Sequence, residues 1–300
     1  MNAIEIKNLT KSFRGLKAVN DLSITVPVGA IYGFIGENGS GKSTTEKLIC
    51  GHLVPDSGTI KLFGKDYRDA GVRQRVGSLI ENAGCFPNCS VYTNMMMQAL
   101  NLNLQNPKEE IDRCLKIVRM EEHTKLRFKN CSLGMKQRIG IAIALLGNPA
   151  LLILDEPING LDADGCALMR EILLDITKNE GVTVLISSHI LGELEKIATH
   201  YGIIRQGKLV QELTAKNMDS RAQVFVSLKT NDMGGAMKKL KQKYADVRLE
   251  ENYIRVYDIN DTEEIVEYLM KCGHVVKEII KNKIGLEEYY IELMSKKEAV

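Results

Sequence analysis

The sequence predicts an α/β fold with a mostly parallel sheet, followed by a small α+β domain. In the first part of the chain, short apolar runs alternate with segments of helical composition. Two of these runs, LLIL from Leu151 and VTVLI from Val182, are almost wholly apolar, which is typical of strands covered on both faces of a parallel sheet. After about Arg221 the order of elements changes, which indicates a second domain.

Length and composition narrow the class of protein. The 300 residues give room for one large or two modest domains. Acidic and basic residues nearly cancel at a formal net charge of +2, so the overall charge predicts no nucleic-acid partner. The seven cysteines form no CxxC pair, and the N-terminal MNAIEI carries no apolar signal segment. We therefore expect a protein of the reducing cytoplasm.

The most apolar region is too interrupted to span a membrane. It reads IGIAIALLGNPALLIL, begins at Ile139 and is broken by Asn148 and Pro149. A spanning helix needs about 18 or more consecutive apolar residues. If the protein works at a membrane, we expect it to do so through a partner.

Local signals place the elements of the first domain, predicted at 1–220. Residues 1 to about 66 contain four strand-like segments, AIEIKNL, LSITVP, AIYGFIG and GTIKLFG, separated by Gly, Pro and Asp. Between them, SGKSTTEKLICGH has helical composition. A helical subdomain is expected at about 86–147, where Asn106 and Pro107 form an N-cap and N1 pair.

The second domain, predicted at 221–300, has a β-α-β-β-α-β order followed by a last helix. Its strands are AQVFVSL, VRLE, YIRVY and VVKEII, and its helices are GAMKKLKQKY, TEEIVEYLMKC and LEEYYIELM. This order is that of a ferredoxin-like fold, and the segment is long enough for a separate accessory domain.

A glycine-rich loop between a strand and a helix predicts a nucleotide site. GENGSGKST follows AIYGFI and matches G-x-x-x-x-G-K-[ST]. Its glycines permit positive φ and close backbone approach to phosphate. Lys42 is expected to give positive charge to the β- and γ-phosphates, and Ser43 a hydroxyl ligand to Mg²⁺. The alternative is a chance glycine turn, which average composition produces in roughly one chain in a hundred. The predicted nucleotide-binding residues of the loop are Gly36, Glu37, Asn38, Gly39, Ser40, Gly41, Lys42, Ser43 and Thr44.

Two adjacent acids follow the apolar run LLIL. Asp155 and Glu156 are expected on opposite sides of that strand and therefore in different roles. In a phosphate-loop ATPase the first acid holds Mg²⁺, and the second orients and deprotonates the attacking water. A GTPase would need the base-reading motif N-K-x-D, but NKIG at Asn282 lacks the Asp and falls in the second domain. The alternative is that the two acids lie at a solvent-exposed strand end and have no function.

Three further segments stand in a fixed order around the acid pair. SLGMKQR from Ser132 precedes LLILDEP, NGLD from Asn159 follows it, and SSH begins at Ser187. With the phosphate loop upstream, this ordered set resembles the ATP-binding subunits of ABC transporters, over residues 1 to about 215. The resemblance implies ATP and Mg²⁺ as cofactors, and ATP hydrolysis as the activity.

The resemblance also implies roles for single residues. Phe13 matches the aromatic residue that stacks on adenine, and His189 matches the switch histidine that contacts the γ-phosphate. Asn159–Asp162 match a loop that crosses a dimer interface. The expected catalytic residues are Glu156, His189 and Lys42. The residues expected to bind nucleotide outside the phosphate loop are Phe13, Ser132, Gly134 and Asp162.

CSLGMKQR departs from the family signature, which has Gly at the position of Leu133 and Gln at that of Met135. The Ser132 hydroxyl and the Gly134 N–H are kept at a predicted helix N-terminus, and we expect them to reach the γ-phosphate held by the opposite subunit. Because Leu133 reduces backbone freedom and Met135 removes a side-chain donor, we expect weaker or slower dimer closure than a full signature gives.

A second departure lies in GSLIENAG, where Glu81 aligns with a Gln that touches Mg²⁺ in the family. A carboxylate keeps an oxygen for a hard cation but adds negative charge and loses the amide donor. Our hypothesis is that Glu81 still ligates Mg²⁺, together with Ser43 and Asp155. The alternative is an exposed loop acid.

These departures and the C-terminal domain resemble the ATPase subunits of bacitracin- and lantibiotic-type exporters, which pair with a separately encoded membrane permease. The resemblance implies a homodimer of nucleotide domains that is attached through the permease to the inner face of the cell membrane and powers peptide export or resistance. The alternatives are a lipid or drug substrate, an importer, a regulatory nucleotide sensor and a non-transport ABC ATPase. NMMMQ from Asn94 is either helix core or a soft surface for a coupling helix of the permease.

Overall fold

The computed structural model describes residues 1–221, 224–250, 252–257, 259, 261–283 and 285–296. The chain divides into two compact units, Met1–Ala215 and Lys216–Val300. The positions of the predicted second domain that lie outside the described residues are 222–223, 251, 258, 260, 284 and 297–300. Among the described residues, no helix is both long and apolar enough to cross a membrane.

The elements of the first unit alternate between strands and helices. The strands are β1 Asn2–Phe13, β2 Leu16–Pro27, β3 Ile31–Ile35, β4 Ser57–Leu62, β5 Lys65–Asp66, β6 Val76–Leu79, β7 Leu151–Asp155, β8 Thr183–Ser188, β9 His200–Arg205 and β10 Lys208–Thr214. The helices are α1 Lys42–Ile49, α2 Ala70–Arg73, α3 Val91–Asn101, α4 Pro107–Ile117, α5 Leu133–Leu145, α6 Ala163–Asn179 and α7 Leu191–Glu195, and α8 Ala215–Arg221 begins at the last residue of the unit.

Parallel strands form the centre of the first unit, in the order β9-β3-β8-β7-β6, and β10 adds an antiparallel edge beside β9. Every residue of β3 and β8 is buried, as expected for strands covered on both faces. Because these strands are parallel, their carboxyl ends share one edge of the sheet, where Ile35, Asp155 and Ser188 end β3, β7 and β8. This edge carries the site described below.

The strand β6 has no counterpart among the predicted strands. Its sequence, VGSL, contains a single buried residue, Leu79. A short edge strand of this kind shows neither a long apolar run nor a clear alternation, so its pattern gives no signal. β6 leads directly into the loop that contains Glu81.

A second sheet, in the order β2-β1-β4-β5, is antiparallel. One buried cluster joins it to α1 and to the parallel sheet, and that cluster includes Ile6 of β1, Ile24 of β2, Leu48 of α1 and Ile153 of β7. Because α1 packs against β7, the start of α1 is fixed relative to Asp155 at the end of that strand.

The helices α3, α4 and α5 pack against one another. α4 begins at Pro107 as predicted, although the Asn106 side chain at its N-cap makes no capping hydrogen bond. Asn94 of α3 is buried, and its amide accepts from the Phe86 N–H (2.7 Å) and donates to the carbonyl oxygens of Phe86 (3.2 Å) and Ser90 (3.0 Å). These bonds fix the segment by which the chain enters the helical region.

The second unit is an antiparallel sheet with helices. Its elements are β11 Val224–Thr230, α9 Met233–Lys243, β12 Val247–Glu250, β13 Tyr253–Tyr257, α10 Thr262–Lys271, β14 Val276–Lys283 and α11 Leu286–Lys296. The strand order is β12-β13-β11-β14, with α9 and α10 each connecting two strands that are not neighbours, which is the ferredoxin-like arrangement. Val226, Leu240 and Ile265 belong to its core. The predicted fold class is confirmed, including the small α+β domain.

Candidate nucleotide-binding and hydrolysis site

The phosphate loop connects β3 to α1. Gly41 is the N-cap of α1 with φ of 107°, a left-handed conformation that favours glycine, and a Cβ there would lie 2.4 Å from the carbonyl oxygen of Ala18. At Gly36 the reason for glycine is space, because a Cβ would lie 2.5 Å from Ser40 Oγ. Since Gly41 has no side chain to cap the helix, the first N–H groups of α1 remain for an anion.

Lys42 lies inside the phosphate loop, with 5% of its side chain exposed. Its Nζ donates to the carbonyl oxygens of Gly36 (2.7 Å) and Glu37 (3.1 Å) and lies 3.5 Å from Glu156 Oε1. The loop therefore holds a fixed positive charge at its centre, where a phosphate group would be neutralised.

Ser187, on the neighbouring strand β8, hydrogen-bonds to both acids of the predicted pair. Its hydroxyl donates to Asp155 Oδ1 (2.8 Å) and accepts from the Glu156 N–H (3.1 Å). Ser187 is fully buried, so this bridge is protected from competition with water. In the SSH segment only His189 was predicted to have a role. The signal for Ser187 that was missed is a polar residue at the end of an apolar strand.

Glu156 lies just beyond the end of β7, with φ of 52°. The expectation that strand alternation separates Asp155 from Glu156 is therefore wrong, because a left-handed residue after the strand directs the two carboxylates to different partners. Glu156 Oε2 lies 2.5 Å from His189 Nδ1, and Oε1 faces Lys42. One carboxylate thus joins the phosphate loop to the segment after β8.

A cleft of about 350 Å³, here called the phosphate-loop cleft, lies between the phosphate loop and the acid pair. Its lining residues are Ala18, Asn38, Gly39, Gly41, Lys42, Ser43, Thr44, Asp155, Glu156 and Asn159. Gly36 and Ser40 are buried within the same loop, and Glu37 is exposed. The structure therefore brings together the predicted phosphate-binding residues and both acids.

The signature segment and the NGLD segment form a second cavity of about 370 Å³, here called the signature pocket. Its lining residues are Ser132, Leu133, Gly134, Met135, Arg138, Gly160, Leu161, Asp162, Gly165, Leu168 and Met169. Among the described residues, the two cavities have no lining residue in common. Ser132 and Asp162 are therefore close to each other, but they are not part of the cleft that contains Lys42.

Two polar side chains of the signature pocket, Ser132 and Asp162, cap helices, and the third, Arg138, donates to the backbone carbonyl oxygens of Val118 and Arg119. The Ser132 hydroxyl accepts from the Met135 N–H (3.2 Å) at the start of α5, and Asp162 Oδ1 accepts from the Gly165 N–H (2.8 Å) at the start of α6. Leu133 is 49% exposed and packs on the NGLD segment, since a Cβ on Gly160 would lie 3.0 Å from Leu133 Cδ2. The departure at Leu133 thus places an apolar side chain over the neighbouring loop.

Phe13 ends β1 with 45% of its surface exposed. Lys11 Nζ lies 5.6 Å from the centre of its ring and pairs with Asp56 at 2.9 Å. The following strand carries Ala18, which lines the phosphate-loop cleft. The hairpin of β1 and β2 therefore borders the cleft and presents an aromatic ring.

Glu81 does not line the phosphate-loop cleft. Its side chain is 62% exposed, and its Oε1 lies 2.5 Å from Lys47 Nζ on α1. The backbone at Glu81 has φ of 64°. Ligation of Mg²⁺ by Glu81 stays a prediction, and the structure shows an ion pair with Lys47 in its place.

An acid beside Asp155 that was not predicted is Glu46, on the buried face of α1. It is fully buried, and within the described part of the chain neither carboxyl oxygen has a hydrogen-bond partner. Burial raises the pKa of the Glu46 carboxyl well above its ordinary value, the charge of Asp155 raises it further, and the Ser187 hydroxyl opposes the shift. The signal in the sequence is an acid at a position of SGKSTTEKLICGH where the helix faces the core.

A strand, a glycine-rich loop, a helix and an acid pair on a nearby strand define the phosphate-loop class of nucleotide-binding proteins. The family model described as ABC transporter matches residues 19–159. The bacitracin transport ATP-binding protein BcrA of Bacillus licheniformis is 36% identical over 297 residues, covering 97% of this chain and 97% of that protein. The lantibiotic transport ATP-binding protein SrtF of Streptococcus pyogenes is 39% identical over 222 residues, covering 74% of this chain and 95% of that protein.

Solved structures share the fold of the first unit. The structure of cbiO1 from Clostridium perfringens, part of the ABC transporter complex cbiONQ, has a TM-score of 0.67 at 26% identity and covers 73% of this chain and 91% of that chain. The chain belongs to the ATP-binding proteins of the ABC transporter family. It binds ATP and is an ATPase, as the sequence predicted.

Proposed function

We propose that ATP lies in the phosphate-loop cleft and that Glu156 is the general base for its hydrolysis. The observation that carries this proposal is the position of the Glu156 carboxylate between Lys42 and His189. Lys42 would neutralise charge on the β- and γ-phosphates, and Glu156 would accept a proton from the attacking water. His189 would contact the γ-phosphate and hold the Glu156 carboxylate in place through Nδ1.

The residues beside the acid pair fit a divalent cation such as Mg²⁺. The Ser43 hydroxyl and the Asp155 carboxylate are oxygen donors, which hard cations prefer. Among the described residues, no group of three or more His, Cys, Asp or Glu could enclose a metal ion. That absence suits Mg²⁺, which keeps several waters and takes oxygens from phosphates. We assign Ser43 and Asp155 to hold the cation, which would neutralise phosphate charge.

Two copies of the chain would complete two ATP sites. The signature pocket offers the Ser132 hydroxyl, the Gly134 N–H at the start of α5 and Asp162, which are suited to contact a phosphate held by another copy. A head-to-tail pair would place each signature pocket over the partner's phosphate-loop cleft. In support, a related ATP-binding cassette with a TM-score of 0.65 and 20% identity has been solved as a dimer bound to ADP and Pi.

The adenine base would stack on Phe13. The ring is exposed at the end of β1, and the next strand lines the phosphate-loop cleft through Ala18. Stacking on an aromatic face accepts a base without reading its polar edge, so this contact would supply affinity more than selectivity.

The substitution Glu156→Gln tests the assignment of the base. It keeps the shape of the side chain and removes the basic oxygen, so hydrolysis should stop while ATP binding persists. Phosphate release and sedimentation velocity with ATP measure both properties, and a stable ATP-bound dimer is the expected species. Persistent turnover would remove Glu156 as the base.

The docking surface for a permease would lie beside α3. A cavity of about 200 Å³ there is lined by Ala83, Gly84, Cys85, Phe86, Asn94, Met97, Gln98, Asn101 and Ile143. Phe86 and Met97 line it and are exposed apolar side chains, and the flexible side chain of methionine adapts to an inserted helix. This surface would hold the protein at the inner face of the membrane through a separate transmembrane subunit.

Antimicrobial peptides of the bacitracin or lantibiotic kind are the proposed substrate class. The support is the similarity to the bacitracin and lantibiotic transport proteins. The similarity to the bacitracin transport protein extends over nearly the whole chain. Cells that produce the wild-type chain with its co-purifying membrane subunit should tolerate more bacitracin than cells with Glu156→Gln at equal expression. Equal tolerance in the two strains would remove this substrate.

A further inference from the structure

Glu46 is a buried acid that the proposed reaction does not use. It lies in α1, one turn after Lys42 and Ser43, and its side chain is fully buried. Side chains in a helix lean toward its N-terminus, over the residues three and four positions earlier. The Glu46 carboxyl is therefore directed toward the turn that carries the Ser43 hydroxyl.

The surroundings of Glu46 provide no hydrogen-bond partner for either carboxyl oxygen among the described residues. Its polar neighbours are the Asp155 carboxylate and the Ser187 hydroxyl. The Lys42 ammonium is bound to two loop carbonyls and faces Glu156, so its direct partners do not include Glu46. Two neighbouring acids in a buried place are unfavourable until a positive charge joins them.

We propose that Glu46 is a further acidic group of the cation site, an inference that rests on the proposed placement of a divalent cation at Ser43 and Asp155. The cation supplies the positive charge that Glu46 and Asp155 together lack. In return, the second carboxylate strengthens the attraction for the cation. Because Glu46 is buried behind the lining of the cleft, it acts through Asp155 and is a positioning residue.

The other unusual acid, Glu81, is engaged elsewhere. Its carboxylate pairs with Lys47 on the exposed side of α1, whereas Glu46, the residue before Lys47, faces Asp155. Neighbouring positions of one helix therefore hold one acid at the surface and direct another toward the cation site. Glu46, and not Glu81, is therefore the second acid beside Asp155.

Glu46→Gln in the full-length chain tests this role, because it keeps the shape of the side chain and removes the ionisable carboxyl. With saturating ADP, Mn²⁺ binding followed by the electron paramagnetic resonance signal of free Mn²⁺ should weaken by about tenfold. In EDTA, ADP affinity should stay equal, because Gln keeps the shape of the buried side chain and leaves the phosphate loop intact. Damage to the loop would instead lower ADP affinity in EDTA, and that result would overturn the inference.

Two further variants separate this inference from the cation site on which it rests. If Asp155→Asn loses Mn²⁺ affinity while Glu46→Gln keeps it within about twofold, the role of Glu46 is overturned and the cation site stands. If Asp155→Asn also keeps its affinity, the cation site itself is overturned. Glu46→Leu removes the unpaired buried group and should raise the unfolding temperature in EDTA while it weakens Mn²⁺ binding; unchanged Mn²⁺ binding would contradict the inference.

Discussion

The phosphate-loop cleft and the signature pocket present different kinds of groups. In the cleft, charged side chains from separate segments contact one another: Lys42 faces Glu156, and Glu156 bonds to His189. In the signature pocket, the polar side chains of Ser132 and Asp162 cap helices, and apolar side chains fill much of the rest. The first cavity holds groups that can move protons and neutralise phosphate, while the second offers mainly hydroxyl and N–H donors.

This difference shows how the phosphate-binding groups are distributed between the two cavities of one chain. A phosphate group needs donors on several sides, and the first copy supplies some of them through Lys42, the start of α1 and His189. The signature pocket has suitable donors in the Ser132 hydroxyl and the N–H groups at the start of α5, and it is a separate cavity. Each cavity is therefore suited to complete the other across a pair of chains, so changes in the two should affect different measurements.

Lys42→Met should have the largest effect, because it removes the buried ammonium from the phosphate loop. ATP affinity should fall by about a hundredfold or more, and hydrolysis should cease. Titration with a fluorescent ATP analogue measures the first effect. The matched control is Lys47→Met on the same helix, whose exposed pair with Glu81 should contribute little to ATP affinity. Equal losses in the two variants would contradict a special role for Lys42.

Ser132→Ala should lower hydrolysis by about 10- to 100-fold and leave ADP binding unchanged, because the hydroxyl belongs to the signature pocket. The substitution also removes a helix cap, which costs about 1 kcal/mol of stability. Ser90→Ala removes the same kind of cap from α3 and serves as the control. Both variants should show a similar drop in unfolding temperature, and a similar drop in hydrolysis would show that Ser132 acts only as a cap.

The double change Leu133→Gly with Met135→Gln should strengthen ATP-driven dimerisation several-fold. It restores backbone freedom and a side-chain donor, and it removes the half-exposed leucine that packs on Gly160. Sedimentation velocity at a series of ATP concentrations, in a chain that also carries Glu156→Gln, gives the dimerisation constant. An unchanged constant would show that the two departures are neutral.

The smallest of these effects is expected in the pH dependence of stability, through the buried carboxyl of Glu46. The folded chain holds the pKa of Glu46 above its ordinary value, so the unfolded chain releases the proton first as pH rises. The stabilising contribution is complete below the ordinary glutamate pKa and is lost as pH rises toward the folded value, at most by about 1.4 kcal/mol per pH unit.

Thermal unfolding in EDTA, at a series of pH values above 5, tests that sign. The wild-type chain should lose stability relative to Glu46→Gln as pH rises, and parallel curves would show that Glu46 titrates normally.

The sequence predicts the groups that contact phosphate better than the groups that support them. The phosphate loop and the pair Asp155 and Glu156 are continuous motifs, so the residue types and their spacing in the sequence indicate their function. Ser187 and Glu46 were missed because their importance depends on burial, which arises when α1 packs against β7 and β8. The periodicity of α1 directs Glu46 toward the core, but no local pattern shows that Asp155 lies beside it.

Two features that the sequence did not reveal have a geometric origin. The left-handed conformation of Glu156 accompanies the Ser187 bridge, which joins distant parts of the chain. The pairing of Glu81 with Lys47 likewise needs the position of the loop after β6, and β6 itself gave no signal in the sequence. The strands with long apolar runs were predicted because burial on both faces leaves a strong pattern.

The place of β3 in the sheet sets an order of events during synthesis. Within the described part of the chain its sheet neighbours are β8 and β9, which the ribosome adds on the order of ten seconds after β3. Until then the strand that leads into the phosphate loop has no partner for its backbone, and the loop cannot take its final shape. Nucleotide therefore cannot guide the early stages of folding, and it binds only to chains whose first unit is nearly complete.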